Sequence, residues 1–395
     1  MTAPFDYRTR SADDLRPETI GAFVERLPEL LAERGELAGR ALADSGLDSF
    51  TLAVDGVEHT WRRDGLGRLV VVAGDPGDGP RADLPAEWFS DIVNDQRSAV
   101  ALMISALPVM TRGRIEHLIR WEKSLRALVD GRPTLGADGL AFTDGAGQAL
   151  DLHDSFDLDD DPEVMARFLD QAGYLVIRGV VGSDDLEELG AEMDEWFATM
   201  TPDDPHAWYA EVDDGAGRKA QECVRVTNLR REELRFAFRE HLEPVAAVTG
   251  CDHGYGSSDL LRKPVGVVEG LSDLPWHRDC ELGMHSYRCA SVNIGLSVTA
   301  SGPDNGALGV IAGSHRVNAG LLDVDRVDLP TVYLATAPGD VTVHLSCTLH
   351  RATPPLVSER RVTYSNFRLP GDTDALDRKI KAVRDQAGRD TYAPT

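Results

Sequence analysis

Residues 275–279 read Pro-Trp-His-Arg-Asp, and residues 339–350 read Gly-Asp-Val-Thr-Val-His-Leu-Ser-Cys-Thr-Leu-His. On extended backbone, residues two apart face the same side, so His277 and Asp279 can reach one metal ion. A third ligand has to come from elsewhere. His350 is the best candidate, because it ends a strand-like run just before Pro354 and Pro355 turn the chain back. Two histidines and one carboxylate on one face form the open site used by non-haem Fe(II) oxygenases.

The surroundings of these motifs predict a β-rich body. Short runs punctuated by Gly, Pro and Asp cover Asp259 to Val265, Ala290 to Val298, Leu308 to Ile311, Thr331 to Ala335, Asp340 to Leu345 and Arg361 to Leu369. Their spacing is that of an antiparallel sandwich or barrel. Ahead of them Pro162 opens a helix that Gly173 stops, a strand follows at Tyr174 to Ile177, and a helix starts near Asp184.

Read in order, "FLDQAGYLVIRGVV", "PWHRD", "DNGALGVIAGSHR", "PGDVTVHLSCTLH" and "RRVTYSNF" resemble the phytanoyl-CoA dioxygenase family of Fe(II) and 2-oxoglutarate dependent oxygenases, over about residues 160 to 370. The resemblance implies an all-β double-stranded β-helix (a jelly-roll, cupin-like core) with flanking helices. It assigns Fe(II) to His277, Asp279 and His350, with 2-oxoglutarate and dioxygen as cosubstrates. The family places an arginine eleven residues after the distal histidine, which here is Arg361. A guanidinium fork suits the far carboxylate of 2-oxoglutarate. Arg360 is the runner-up, since a one-residue difference in the turn exchanges their faces. Where family members often carry a cosubstrate-binding Ser this chain has Ala352, with Thr353 beside it as a stand-in.

Other candidates rank lower. Lys263-Pro264 resembles the family's Lys-Pro, with Lys263 expected to be structural. His241 and Glu243 follow a helical stretch in which residues two apart diverge, and His315 reads as a turn stabiliser. His253, His285 and His344 have no spaced partner and default to packing or surface roles. Related halogenases have a small residue at the position of Asp279, so its presence points to hydroxylation or another carbon–hydrogen oxidation.

The first part reads differently. Helical spacing of Ile20, Phe23, Val24, Leu27, Leu30 and Leu31 is interrupted by Pro28, which is expected to kink or split the helix. A hairpin comes next, Phe50 to Val54 and Val57 to Arg62 about Asp55-Gly56, then a strand from Leu69 to Ala73 and helical segments to Asp130. This α+β order, with "FTLAVDGVEHTWRR", "RLVVVAG" and "LMISALPVMTRGRIEHLIRWEKSLRAL", resembles the sterol-carrier-protein-2-like domain over about residues 15 to 135. In that family the sheet and helices can enclose an apolar ligand tunnel. An acidic stretch from Asp151 to Pro162 reads as a linker, dividing the chain into domains 1–150 and 151–395.

Composition narrows the rest. Of 395 residues, 42% are hydrophobic and 27% charged, and 41 basic against 66 acidic residues give a net charge of -25. That charge opposes binding to nucleic acid or an anionic membrane. Five cysteines without a Cys-x-x-Cys pair read as reduced thiols, and no signal peptide or spanning helix is read, so a cytoplasmic location is expected. The expected partner is a small apolar or amphipathic metabolite of secondary or lipid metabolism. The carrier-like first domain and Trp196, Trp208, Tyr209, Phe236 and Phe238 motivate that expectation, and a homodimer is compatible with it. Competing readings are a catalytically silent lipid-binding protein and a cupin-like metal-dependent isomerase or hydrolase.

Overall fold

The structure, a computed structural model, describes residues 17–95, 97–104, 109–133, 140–235, 238–249, 254–270, 274–280 and 291–368. The expectations for His253, His285 and Phe236 lie outside the described residues, as does the side chain of Phe238.

The N-terminal unit comprises α1 (Ile20–Asp44), β1 (Ser49–Val54), β2 (Val57–Arg63), β3 (Leu69–Ala73), β4 (Arg81–Leu84), α2 (Ala86–Val93), α3 (Ala99–Ile104), β5 (Met110–Arg112) and α4 (Ile115–Asp130). Its five-stranded sheet has the order β3-β2-β1-β4-β5, and β1 pairs with β4 in parallel. Pro28 neither splits nor ends α1, which runs through it for 25 residues. The missing N–H removes one helical bond, while Phe23 and Leu27 beside it are buried and hold the turn by packing. Phe23, Phe89, Trp61, Trp121 and Phe50 form a continuous aromatic column, with neighbouring ring centroids 5.1 to 6.4 Å apart.

The second unit contains α5 (Pro162–Ala172), β6 (Tyr174–Ile177), α6 (Ser183–Thr199), β7 (Ala207–Asp213), β8 (Lys219–Leu229), α7 (Phe238–Ala247), β9 (Gly254–Lys263), β10 (Val267–Glu269), β11 (Leu274–His277), β12 (Val292–Ser297), β13 (Leu308–Ile311), β14 (Thr331–Leu334), β15 (Val341–Leu345), β16 (His350–Ala352) and β17 (Arg360–Arg368). Two antiparallel sheets face each other. The major sheet runs β10-β7-β8-β9-β17-β12-β15-β6, and the minor sheet β11-β16-β13-β14. The alternation of β9, β11–β17 between the two is a jelly roll. The hairpin of β7 and β8, absent from the strands expected on sequence, widens the major sheet by two strands.

Alternation along the strands gives the major sheet two unlike faces. Val292, Ile294 and Leu296 of β12, with Val341, Val343 and Leu345 of β15, face outward. They bury themselves with Phe168, Leu189, Met193 and Phe197 of the covering helices. Asn293, Gly295, Thr342 and His344 consequently face the minor sheet. At the start of this body Pro162 stands first in α5 and Asp161 caps it by accepting from Glu163 N–H. Gly173, at φ 85°, closes α5 where a Cβ would come within 2.6 Å of the His315 ring and 2.4 Å of Thr348 Oγ1.

The acidic lead-in is anchored rather than free. Phe156 bridges to Ile177 at the sheet edge and packs edge-on against Phe168, and Phe142, Leu150 and Leu152 pack on the same core. The two units are joined by a buried ion pair, Lys123 of α4 to Asp323, at 2.5 Å with side chains 4% and 2% exposed. Beside it Asn318 donates to the Lys123 carbonyl and Arg132 to the His315 carbonyl, while Leu321 and Leu322 pack into the N-terminal core. Replacing Asp323 by Ala leaves a buried ammonium without its counter-ion, and denaturant unfolding should show a loss of about 3–5 kcal/mol. The double change Lys123→Met with Asp323→Leu should recover most of it.

Candidate metal centre and active site

His277 ends β11 and pairs across the minor sheet with His350, the first residue of β16. The ring Nδ1 of His277 lies 2.7 Å from the Pro275 carbonyl and that of His350 lies 2.9 Å from the Thr348 carbonyl. A carbonyl only accepts, so each Nδ1 carries the hydrogen and each Nε2 presents a lone pair. Both Nε2 atoms lie 3.5 Å from Oδ1 of Asp279. The three ligand atoms fall within 4.8 Å of one another.

This donor set fits a cation. Three lone-pair-bearing atoms converge with no hydrogen between them, an arrangement that a positive ion relieves. Ligands ~2.1 Å from one ion and at right angles stand ~3 Å apart, so the two 3.5 Å separations from Asp279 need to contract only slightly. Both imidazoles are buried, while the Asp279 side chain stays 32% exposed, which leaves an open approach from one side.

The second oxygen of Asp279 is held separately. Oδ2 accepts from the side-chain amide of Asn293, and Nε2 of His344 lies 3.3 Å away. Asn293 accepts in turn from Asn366 at 2.9 Å. His344, Asn293 and Asn366 stand in one cross-strand row over β15, β12 and β17. Burial alone would raise the Asp279 carboxyl. In the metal-free site the imidazoles of His350, His277 and His344 gathered round it outweigh this and hold the group well below the usual carboxylate range, so it remains ionised.

His344, expected on sequence to serve packing or the surface, thus touches the carboxylate of the candidate metal site. The signal is present in Val341-Thr342-Val343-His344-Leu345, whose alternation sets Thr342 and His344 against the three apolar residues. One strand over, Gly295 has no side chain where a Cβ would come 2.8 Å from both the Tyr364 ring and Thr342 Oγ1. The Tyr364 ring therefore lies across β12, edge-on to His344 at 6.2 Å.

The two arginines point to opposite faces of β17. Arg361 faces outward, ion-paired with Asp194 of α6 at 2.7 Å and with Glu359 at 2.8 Å. Arg360 faces inward and is 2% exposed. It donates to the Gly306 carbonyl at 2.8 Å, and its Nη2 lies 3.4 Å from the Tyr364 hydroxyl. Its Nε is buried without a hydrogen-bond partner. Lys263 stands opposite Arg360 in the β9–β17 register, also buried, and donates to the Thr353 carbonyl at 2.7 Å. The Thr353 hydroxyl is directed at the Ala307 carbonyl, 3.3 Å away. A buried guanidinium with an unused donor beside a buried ammonium is the setting in which an anionic oxygen belongs. His315 lies apart, fully buried with Nε2 2.7 Å from the Asp170 carbonyl, and His241 pairs with Asp185 on the surface.

These features sit inside a stretch with known counterparts. Residues 169–362 match the phytanoyl-CoA dioxygenase (PhyH) family. The matched stretch runs from α5 into the start of β17 and includes all three metal-binding candidates and both arginines. A dioxygenase of Aspergillus aculeatus, aneA, is 24% identical over 200 residues, which are 48% of this chain and 65% of that relative, so less than two thirds of it is covered. Among solved structures, AviO1 from Streptomyces viridochromogenes Tue57 aligns over 54% of this chain and 96% of its own at 24% identity and a TM-score of 0.45. EctD from S. alaskensis with bound Fe aligns over 53% and 78%, at 20% identity and 0.43. Fe(II) with 2-oxoglutarate is the cofactor set that the PhyH match and the His-Asp-His geometry together support.

Groups that orient a metal ligand through its second atom commonly change metal affinity 10–100-fold when lost. His344→Leu and Asn293→Ala should each weaken Fe(II) binding within that range in a metal titration. His344→Gln keeps an N–H donor at the corresponding position and should stay near the native affinity.

Proposed function

We propose that this protein is a non-haem Fe(II) and 2-oxoglutarate dependent dioxygenase that oxidises, by hydroxylation, a carbon–hydrogen bond of a small molecule. The carrying observation is the convergence of His277, Asp279 and His350, with the inward, under-bonded Arg360 on the same face of the major sheet as the Asn293 and His344 that hold Asp279. The bound ion would supply dioxygen activation coupled to oxidative decarboxylation of 2-oxoglutarate.

The chain's own residues perform the remaining tasks. His277 and His350 are fixed in the Nε2-donor tautomer by backbone carbonyls. Asp279 offers one oxygen, because the other is tied to Asn293 and His344. Arg360 takes the far carboxylate of 2-oxoglutarate, with Lys263 adding charge from the adjacent strand. Arg361, already balanced by Asp194 and Glu359, serves the contact between the major sheet and α6.

The N-terminal unit, in this reading, is a sterol-carrier-protein-2-like domain. The order of helix α1, the β1–β2 hairpin, β3 and the helices to α4 is the order on which that resemblance rests. Cys223, Cys280 and Cys347 are free thiols, in keeping with a reducing, cytoplasmic setting. No helix among the described residues is long and apolar enough to cross a membrane.

Anaerobic addition of Fe(II) and then 2-oxoglutarate should give the visible charge-transfer band of the chelate. Asp279→Ala should abolish it. Arg360→Ala should raise the 2-oxoglutarate concentration needed for half-formation at least ~10-fold, as loss of a charge-assisted contact does, while Arg361→Ala should leave that concentration within about twofold. Iron binding without a band would favour a metal-dependent isomerase or hydrolase instead.

A further inference from the structure

Beyond the cosubstrate groups, the inner face of the major sheet continues sideways from the metal across β17, β9 and β8 to β7. The β9–β17 register sets Asp259 opposite Tyr364, and the β8–β9 register sets Arg225 opposite Leu261, with Trp208 of β7 opposite Arg225. All of these lie on the face that carries Arg360. Strands are ~4.8 Å apart, so Asp259 and Arg225 begin roughly 10 and 14 Å from β12, and the two side chains meet between β8 and β9. On this face Asp259, Leu261, Arg225 and Trp208 are only partly buried, whereas Leu260 and Val226 on the opposite face are completely buried.

The chemistry of this shelf is specific. Arg225 donates through Nη2 to Asp259 at 2.5 Å, and the other Asp259 oxygen accepts from the Asn228 N–H at 2.8 Å. The Arg225 Nε is buried without a hydrogen-bond partner. The pair is neutral as a unit, yet it offers donors and acceptors side by side. An anionic substrate group would meet the Asp259 carboxylate, and an apolar one would leave the pair's hydrogen-bonding groups unsatisfied. A hydroxyl both donates and accepts, so it suits both members, and the flat indole of Trp208 suits the face of a saturated ring.

Of the described aromatics that suggested an apolar substrate, Trp196 packs against the outer core, and Tyr209 packs there too with its hydroxyl donating to the Met200 carbonyl. Trp208 alone of the described set stands on the inner face. From the neutral Arg225–Asp259 pair and Trp208 beside it, we infer that the substrate is a neutral, hydroxyl-bearing ring compound held on this shelf. This rests on the oxygenase reading for its location next to the metal.

Saturation-transfer NMR on the full chain loaded with Zn(II) and 2-oxoglutarate tests it with three probes of one ring size: methyl β-glucopyranoside, methoxycyclohexane and cyclohexanecarboxylate. The glucoside should give the strongest transfer, reduced about tenfold in Arg225→Gln and in Trp208→Leu, since a site built for hydroxyls discriminates against analogues that lack them. Equal or stronger transfer to either other probe, no transfer to any, or transfer to the glucoside that both variants leave unchanged would overturn it. The Fe(II)–2-oxoglutarate band of the same preparation, recorded without probe, separates the two ideas. If the band is absent the oxygenase reading fails. If it is present without a glucoside response, only the substrate class fails.

Discussion

The division of one carboxylate between two tasks governs this molecule. Oδ1 of Asp279 faces two imidazole nitrogens that backbone carbonyls have already turned toward it, and Oδ2 is taken by Asn293 and His344. A carboxylate free to rotate could offer both oxygens to an ion and fill a position that the chemistry needs vacant. Here rotation breaks two hydrogen bonds, so one-oxygen ligation is the arrangement of lowest cost. That constraint needs four strands in register: β11 and β16 for the histidines, β15 and β12 for the anchoring side chains.

The register is itself held from behind. Next to His277, Arg278 is fully buried and donates to the Ser314 carbonyl at 2.8 Å. Ser314 belongs to the turn that also carries His315, whose carbonyl accepts from Arg132 of the N-terminal unit. A few residues on, Asn318 and Asp323 bind Lys123. The strand that carries His277 is thus connected through two short steps to α4 and to Arg132 just beyond its end.

Much of this is legible in the sequence. The His-x-Asp spacing survives intact because it depends only on local extended geometry, and the strand runs around it are those of β12 to β15 within a few residues. The hairpin of β7 and β8 escapes a sequence reading that weighs its aromatics as ligand contacts, although "WYAEVD" and "QECVRVTNL" alternate on either side of the turn at Asp213 to Gly217. Asn293 carries no charge and sits in no motif, so only the three-dimensional row with His344 and Asn366 reveals it. Pro28 is a weaker breaker than its type suggests, since tertiary packing of α1 compensates for one lost bond.

Arg360 and Arg361 show where sequence periodicity stops helping. On most strands of the jelly roll one face is apolar, and alternation identifies it. On β17 both faces are mixed: Arg360, Val362, Tyr364 and Asn366 point in, while Arg361, Thr363, Ser365 and Phe367 point out. Ser365 is satisfied on the outer face by Ser258 at 2.7 Å, so its polarity carries no information about direction. Pairing across the sheet settles it. Arg361 stands opposite Arg262, and both arginines find acidic partners beyond the outer face, Asp194 for one and Glu222 for the other, with Glu359 between them. The outer acids neutralise that pair, whereas the inward Arg360 keeps a buried Nε that makes no hydrogen bond, a donor suited to an anionic oxygen.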